Sequence, residues 1–164
     1  SRQELCAAFG IIAIESSFMK QFVKGRIKDN ELTPDDLLDD EAARKSPELY
    51  ISGVVVREPD GSIGHKRACA MVWGMAKFLE RQYGFRRKRT VYALAVSKTS
   101  KNSLVRAGFH HFNGPNDRAD QLELYCLDVT KERIATIITR VGDYSGRCRI
   151  QFDSLAHGGR ESKT

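Results

Sequence analysis

The sequence predicts an α/β domain with a mixed, partly parallel sheet flanked by helices, and three observations carry that prediction. Apolar segments of strand length alternate along the chain with segments whose apolar residues recur at helical spacing. Strong turn chemistry, Pro59-Asp60-Gly61, closes the strand-like residues 49–57 ahead of a long helical pattern. Strand, helix, strand, helix, strand in that order requires at least one parallel crossover. With 164 residues, 41% hydrophobic and 29% charged, the chain suits one domain with a core of its own.

Residues 5–14 (LCAAFGIIAI) are a continuous apolar run of strand length, read as a strand buried on both faces. Phe18, Met19, Phe22 and Val23 follow at i, i+1, i+4 and i+5, a short helical face that Gly25 can terminate. Residues 28–48 then hold eight acidic side chains against three basic ones. There Thr33-Pro34-Asp35-Asp36 reads as an N-cap with proline at the first helical position, opening a short exposed helix that adds nothing to the core.

Residues 49–57 (LYISGVVVR), rich in β-branched and aromatic side chains, make the second strand. After the loop GSIG, residues 65–83 carry Ala68, Met71, Val72, Met75, Ala76, Phe78 and Leu79 at helical spacing, and Gly84 ends the helix. Residues 90–96 (TVYALAV) are the third strand, and 97–107 a short helix closed by Gly108, after which Phe109 opens another extended stretch. Residues 122–129 (LELYCLDV) alternate cleanly as a further strand. The expected layout is a core over 1–129, an extension packed on it over 130–153 and a disordered tail over 154–164. The extension is expected to hold a helix at 131–139 and a strand at 147–152.

No apolar run is long enough to span a bilayer, and residues 5–14 lack the basic flank and cleavage site of a signal peptide. The four cysteines, Cys6, Cys69, Cys126 and Cys148, form no CxxC pair and stand at no metal-ligand spacing from His65, His110, His111 or His157. They read as reduced, mostly buried thiols of a cytoplasmic protein with no metal. The net charge of +6 favours anionic partners, and it is segregated: residues 81–106 hold eight basic side chains and no acidic one.

The loop between the second strand and the long helix, residues 57–67, has two glycines and ends on a helix N-terminus, where unpaired N–H groups favour an anion. His65, Lys66 and Arg67 in that helix's first turn oppose the helix dipole at about 0.3–1 kcal/mol each, a cost that a bound phosphate reverses and that pointing into water merely tolerates. The spacing matches neither GxGxxG nor GxxxxGK[ST].

The segment YISGVVVREPDGSIGHKRACAMVWGMAKFLE resembles the fourth strand, pyrophosphate loop and third helix of GNAT-type N-acetyltransferases, of the acyl-CoA N-acyltransferase superfamily. VYALAVSKTSKNSLVRAGFHHF resembles their fifth strand, fourth helix and the GF that follows. Ser97, Ser100, Leu104 and Gly108-Phe109 occupy the places of the pattern N-x-x-A-x-x-x-Y-x-x-x-G-F. The likeness spans about residues 5–129 and implies an acyl-CoA N-acyltransferase-like fold entered at the family's third strand. The first two strands and helices, which usually shape the acceptor pocket, have no evident counterpart, and the acidic stretch resembles an insertion found in a subgroup.

The activity this resemblance implies is transfer of an acetyl or other acyl group from acetyl-CoA, or another acyl-CoA, to an amine of a small molecule or protein. It implies that the backbone of Val54, Val55 and Val56 pairs with the pantetheine arm, and that amides of Gly61, Ser62, Ile63, Gly64 and His65 cradle the pyrophosphate. Lys66, Arg67, Lys98 and Lys101 are then candidates for the nucleotide phosphates, and Ser97 and Ser100 complete the expected cofactor-binding set. The family's Q/R-x-x-G-x-G/A loop is partly kept: Gly64 fits its last position, while Ser62 replaces the preceding glycine and Pro59 the leading residue. Leu104 stands where many members carry the tyrosine that protonates the departing thiolate, and the sequence does not place Tyr83, Tyr92 or Tyr125 there.

Attack by an amine needs a base to deprotonate its ammonium form. Glu48 and Glu58 flank the second strand and Ser52 lies within it; Glu48 and Ser52 are the catalytic candidates. His110 and His111 follow the GF element and, as neighbours on a strand, point opposite ways. Two other functions stay open. One is a non-catalytic acetyltransferase-like protein. The other is a nucleic-acid-binding module in which Arg81, Arg86, Arg87, Lys88 and Arg89 hold phosphates and Tyr83 and Phe85 offer stacking surfaces. A second copy of the chain, as a homodimer, is a further partner considered; a membrane is not.

Overall fold

The computed structural model describes residues 7–57 and 61–142. Strand β1 (Ala7–Ile12) leads into helix α1 (Ser16–Val23), whose Met19 and Phe22 are buried. Gly25 follows at φ +73°, and the backbone of Asp117 and Arg118 lies where a side chain would stand. Only glycine meets both demands.

In the acidic stretch, residues 34–36 make a single 3₁₀ turn rather than the expected helix, with the Thr33 N–H and hydroxyl both donating to the Asp36 carboxylate. The helix comes later, as α2 (Asp40–Lys45), capped where the Ala42 N–H donates to Asp39 at 2.8 Å. The stretch also contributes to the core, against expectation. Leu32, with Ile27 just ahead of the stretch, packs beside α1, and Leu38 and Ala43 against the opposite cluster. Their irregular spacing gives no period to read.

The chain continues through β2 (Glu48–Val56), α3 (Gly61–Tyr83), β3 (Thr90–Ala95), α4 (Lys98–Arg106), β4 (His110–Asn113), β5 (Glu123–Asp128) and α5 (Lys131–Val141). Helix α3 begins at Gly61, four residues before the expected start at His65, and so absorbs the GSIG segment. The strand expected at 147–152 and the tail lie outside the described residues, as do Cys6, Cys148 and Glu58.

The five strands form one sheet in the order β1-β2-β3-β5-β4. Only β2 and β3 are parallel, with α3 as the crossover between them. One face of the sheet, with Leu49, Ile51, Val91 and Leu127, packs on Met75, Ala76 and Leu79 of α3 and on Ile134 and Ile137 of α5. The other face, with Tyr50, Tyr92, Leu124 and Cys126, packs on α1. This alternation is the period of two that the strand sequences display. Among the described residues no helix is long and apolar enough to cross a membrane.

Arg89 departs from the expected surface cluster. It is only 2% exposed and donates to the carbonyls of Ser46 at 3.1 Å, Tyr83 at 2.9 Å and Arg44. Burial, foremost, lowers its pKa below the usual guanidinium value. One buried cation thus satisfies carbonyls at the C-terminal ends of α2 and α3, beside the starts of β2 and β3. Tyr83 and Phe85 turn inward with it: the Tyr83 ring lies under the guanidinium at 5.2 Å, and Phe85 packs on the core.

Candidate functional site

The pairing of β1 with β2 slips once. Gly10 faces Gly53 and Ile11 faces Ile51, so Ser52 is an extra residue on β2. A bulge of this kind bends the strand, sharpens its twist and often ends pairing nearby. Gly10 makes room for it, because a Cβ there would lie 2.6 Å from Ser52 Oγ.

The consequence appears on the other edge of β2. Pairing with β3 runs only from Glu48–Thr90 to Ile51–Ala93, whereas pairing with β1 continues to Val56. From Ser52 onward the β3-facing edge of β2 has no partner strand among the described residues, and the two parallel strands part like a fork. Ser52, Gly53, Val54 and Val55 are all exposed on one arm. Val55 at 67% and, on the other arm, Val96 at 70% are apolar β-branched residues left uncovered, as is Val54 at 46%.

The fork opens toward the start of α3. Arg67 Nη1 donates to the Arg57 carbonyl at 3.0 Å, tying the second turn of α3 to the end of β2. Because the helix starts at Gly61, the N–H groups of Gly61, Ser62 and Ile63 precede the i→i−4 ladder, and those of Gly64 and His65 belong to it. The set of free amides is therefore shorter than the expected Gly61–His65 cradle, and His65, Lys66 and Arg67 stand in the second turn rather than the first. The His65 and Lys66 side chains are exposed, and Gly64 is buried.

At the start of α4 the Ser100 N–H donates to Ser97 Oγ at 3.1 Å while the Ser97 N–H donates to Ser100 Oγ at 2.9 Å. Both hydroxyls are engaged in this reciprocal cap. Lys98 is exposed, but Lys101 is bound to Glu123 at 2.9 Å. Tyr125 also donates to Glu123, at 2.7 Å. Lys101 and then Tyr125 hold the Glu123 carboxyl below its usual range, while burial and then Glu123 push the Tyr125 phenol up. Lys101 and Glu123 border an open depression of about 240 Å³ beside Val96, Lys98, Pro115 and Leu122. No spacing in the sequence links residue 101 to 123 and 125. The bulge did leave a signal, since isolated glycines at 10 and 53 within strand patterns mark bulges or close backbone approach.

The two catalytic candidates are not brought together. Glu48 begins β2, and Ser52 at the mouth of the fork lies four residues on, about 13 Å along a strand. Glu48 accepts from the Tyr92 hydroxyl at 3.3 Å; burial, and then Glu48, raise the Tyr92 phenol above its ordinary value. A second cavity of about 310 Å³ lies at that end of the sheet, beside Ile14, Leu38, Ala42 and Glu48. Leu104 packs on the core. His110 Nε2 lies 3.0 Å from Cys126 Sγ on one face of the sheet, and His111 stacks edge-on against Tyr125 at 5.5 Å on the other. Strand β5 separates both histidines from the fork. Among the described residues no three His, Cys, Asp or Glu side chains group as they would around a metal ion.

Comparison with protein-family models, with curated proteins and with solved structures returns no match.

Proposed function

We propose that the chain is an N-acyltransferase of acyl-CoA N-acyltransferase-like fold that moves an acetyl or other acyl group from acyl-CoA to an amine. The fork carries this reading: a bulge at Ser52 frees one edge of β2 while α3 starts just past the strand's end. A free strand edge suits an extended, amide-bearing arm, which adds to it as another strand would. The apolar Val55 and Val96 suit the alkyl parts of such an arm. Beyond it, the N–H groups of Gly61, Ser62 and Ile63 favour a pyrophosphate, the exposed Lys66 and Lys98 supply opposite charge, and the exposed His65 offers a ring N–H.

In the reaction the amine nitrogen bonds to the thioester carbonyl carbon, the carbon–sulfur bond breaks, and the amine gives up a proton. Backbone N–H groups at the mouth, near Ser52 and Gly53, are the donors placed to stabilise charge on the carbonyl oxygen. Glu48, about 13 Å from the mouth along the strand, is beyond the reach of one bridging water, so the amine's proton passes to solvent. Leu104 carries no proton, so the departing thiolate takes one from solvent.

Isothermal titration with acetyl-CoA tests the reading. Saturable binding is expected, and the exposed double variant His65→Glu/Lys66→Glu is expected to weaken it at least tenfold, about 1.4 kcal/mol. Absence of saturation at about 1 mM acetyl-CoA by folded protein, a binding energy under about 4.1 kcal/mol, refutes the cofactor site. Saturable binding without thiol release across a broad panel of amines assigns the fold to a non-catalytic binder.

A further inference from the structure

We infer that the end of the sheet opposite the fork binds the sugar–phosphate backbone of a nucleic acid. Five exposed cations meet there: Arg44 in the last turn of α2, Arg86, Arg87 and Lys88 in the loop entering β3, and Lys131 at the start of α5. The fold brings their three segments side by side. Arg89 binds the Arg44 carbonyl, the Thr90 N–H donates to Pro47 at 2.9 Å, and the Val129 N–H donates to Arg89 at 2.8 Å. Strands β2, β3 and β5 are adjacent at this point, so the row is about 10 Å wide.

The five cations of this row outnumber the nearby carboxylates left over from ion pairs, among which Asp40 lies close to Tyr83. Glu41 pairs with Lys45, Asp128 with Arg133, and Glu48 with the Tyr92 hydroxyl, while Glu132 turns to Thr130 at the start of its own helix. Cations near helix C-termini often have a local role, but here Arg89 already fills it at both α2 and α3. Arg87 also lies near enough to Arg89 to disfavour its charge, a repulsion that a bound anion relieves.

Duplex backbone fits this row better than single strands or bases. Tyr83 and Phe85, the aromatic residues beside the basic loop, are half-buried, one under Arg89 and the other on the core, which leaves them little ring surface for stacking. A duplex carries a charge every ~1.7 Å of its axis, denser than the flexible carboxylates of an acidic peptide. The row is distinct from the acyl-CoA fork, because the six residues of β3, about 20 Å, lie between them.

Fluorescence anisotropy of the full chain with a labelled DNA duplex of roughly 20 base pairs, in about 50–200 mM salt, tests this. Binding is expected at the low-salt end, with log K falling linearly in log salt and unchanged by acetyl-CoA. Arg86→Ala/Arg87→Ala/Lys88→Ala, all at exposed positions, is expected to lower affinity at least tenfold and to reduce the salt slope by about 2–3, with the thermal melt unchanged. No binding at the low-salt end overturns the inference, as does a triple variant with the parent's affinity and slope. Poly-glutamate bound more tightly than the duplex also overturns it, by assigning the row to an acidic protein.

Discussion

Replacing Arg89 by alanine removes three bonds from a charged donor to carbonyls of Ser46, Tyr83 and Arg44, and a guanidinium stacked on the Tyr83 ring. Arg44 is exposed, so water can take over its carbonyl, but Ser46 is buried and Tyr83 half-buried. Two carbonyls left unsatisfied cost about 1–3 kcal/mol each. The lost stacking adds about 0.5–1 kcal/mol, and release of a desolvated cation returns part of the sum. The net expectation is a loss of about 3–5 kcal/mol, a large share of the ~5–15 kcal/mol typical of a domain. In urea, with a slope of about 2 kcal/mol/M, the midpoint falls by about 2 M. Arg89→Lys keeps the charge without the planar fork, so it is expected to lose about half as much. Equilibrium urea unfolding followed by circular dichroism reads all three proteins. A loss under about 1 kcal/mol for Arg89→Ala means instead that the buried carbonyls find other partners at little cost and that Arg89 does not hold the two helix ends.

Gly25→Ala places a methyl group against the Asp117 backbone at φ +73° and is expected to cost about 2–3 kcal/mol by the same assay, whereas Gly84→Ala, which meets no neighbour, pays for its positive φ alone at about 1–2 kcal/mol. Gly10→Ala clashes with Ser52 Oγ and is expected to cost about 1 kcal/mol, nearly all of it recovered when Ser52 is also made glycine. A double-mutant cycle without coupling contradicts the described bulge. Burial raises the Asp120 carboxyl, but hydrogen bonds from Arg118 and the Leu122 N–H outweigh it, so the folded pKa is depressed. The stability this adds is full above the unfolded carboxylate value of about 3.9 and is lost as pH falls through the lower folded value. The difference in melting temperature between parent and Asp120→Asn should accordingly vanish at the acid end, and a difference independent of pH contradicts that origin.

Strands and helices were readable wherever a period persisted. Residues 49–57 and 90–96 announced themselves by β-branched and aromatic runs, and α3 by Met75, Ala76 and Leu79 on one face. The first turn of α3 was not readable, because Gly61 and Gly64 carry loop composition although one opens the helix at φ +75° and the other is buried in it. Arg89 looked like its basic neighbours, since burial of a cation depends on carbonyls contributed by residues 44 and 46, more than forty positions away. Within the site, the arm of β2 and the helix start were legible as a motif. The fork itself was not, because it depends on a register slip between two strands rather than on any one of them. The Lys101–Glu123–Tyr125 trio was equally hidden, arising only when α4 and β5 pack together.

The most direct test of the fork as a cofactor site is amide hydrogen exchange of the full chain with and without acetyl-CoA. Slowed exchange is expected only along the free edge of β2 at residues 52–56 and at the start of α3 at residues 61–63, with residues 86–88 unchanged. Saturable binding that protects other segments and leaves 52–56 unaltered contradicts it.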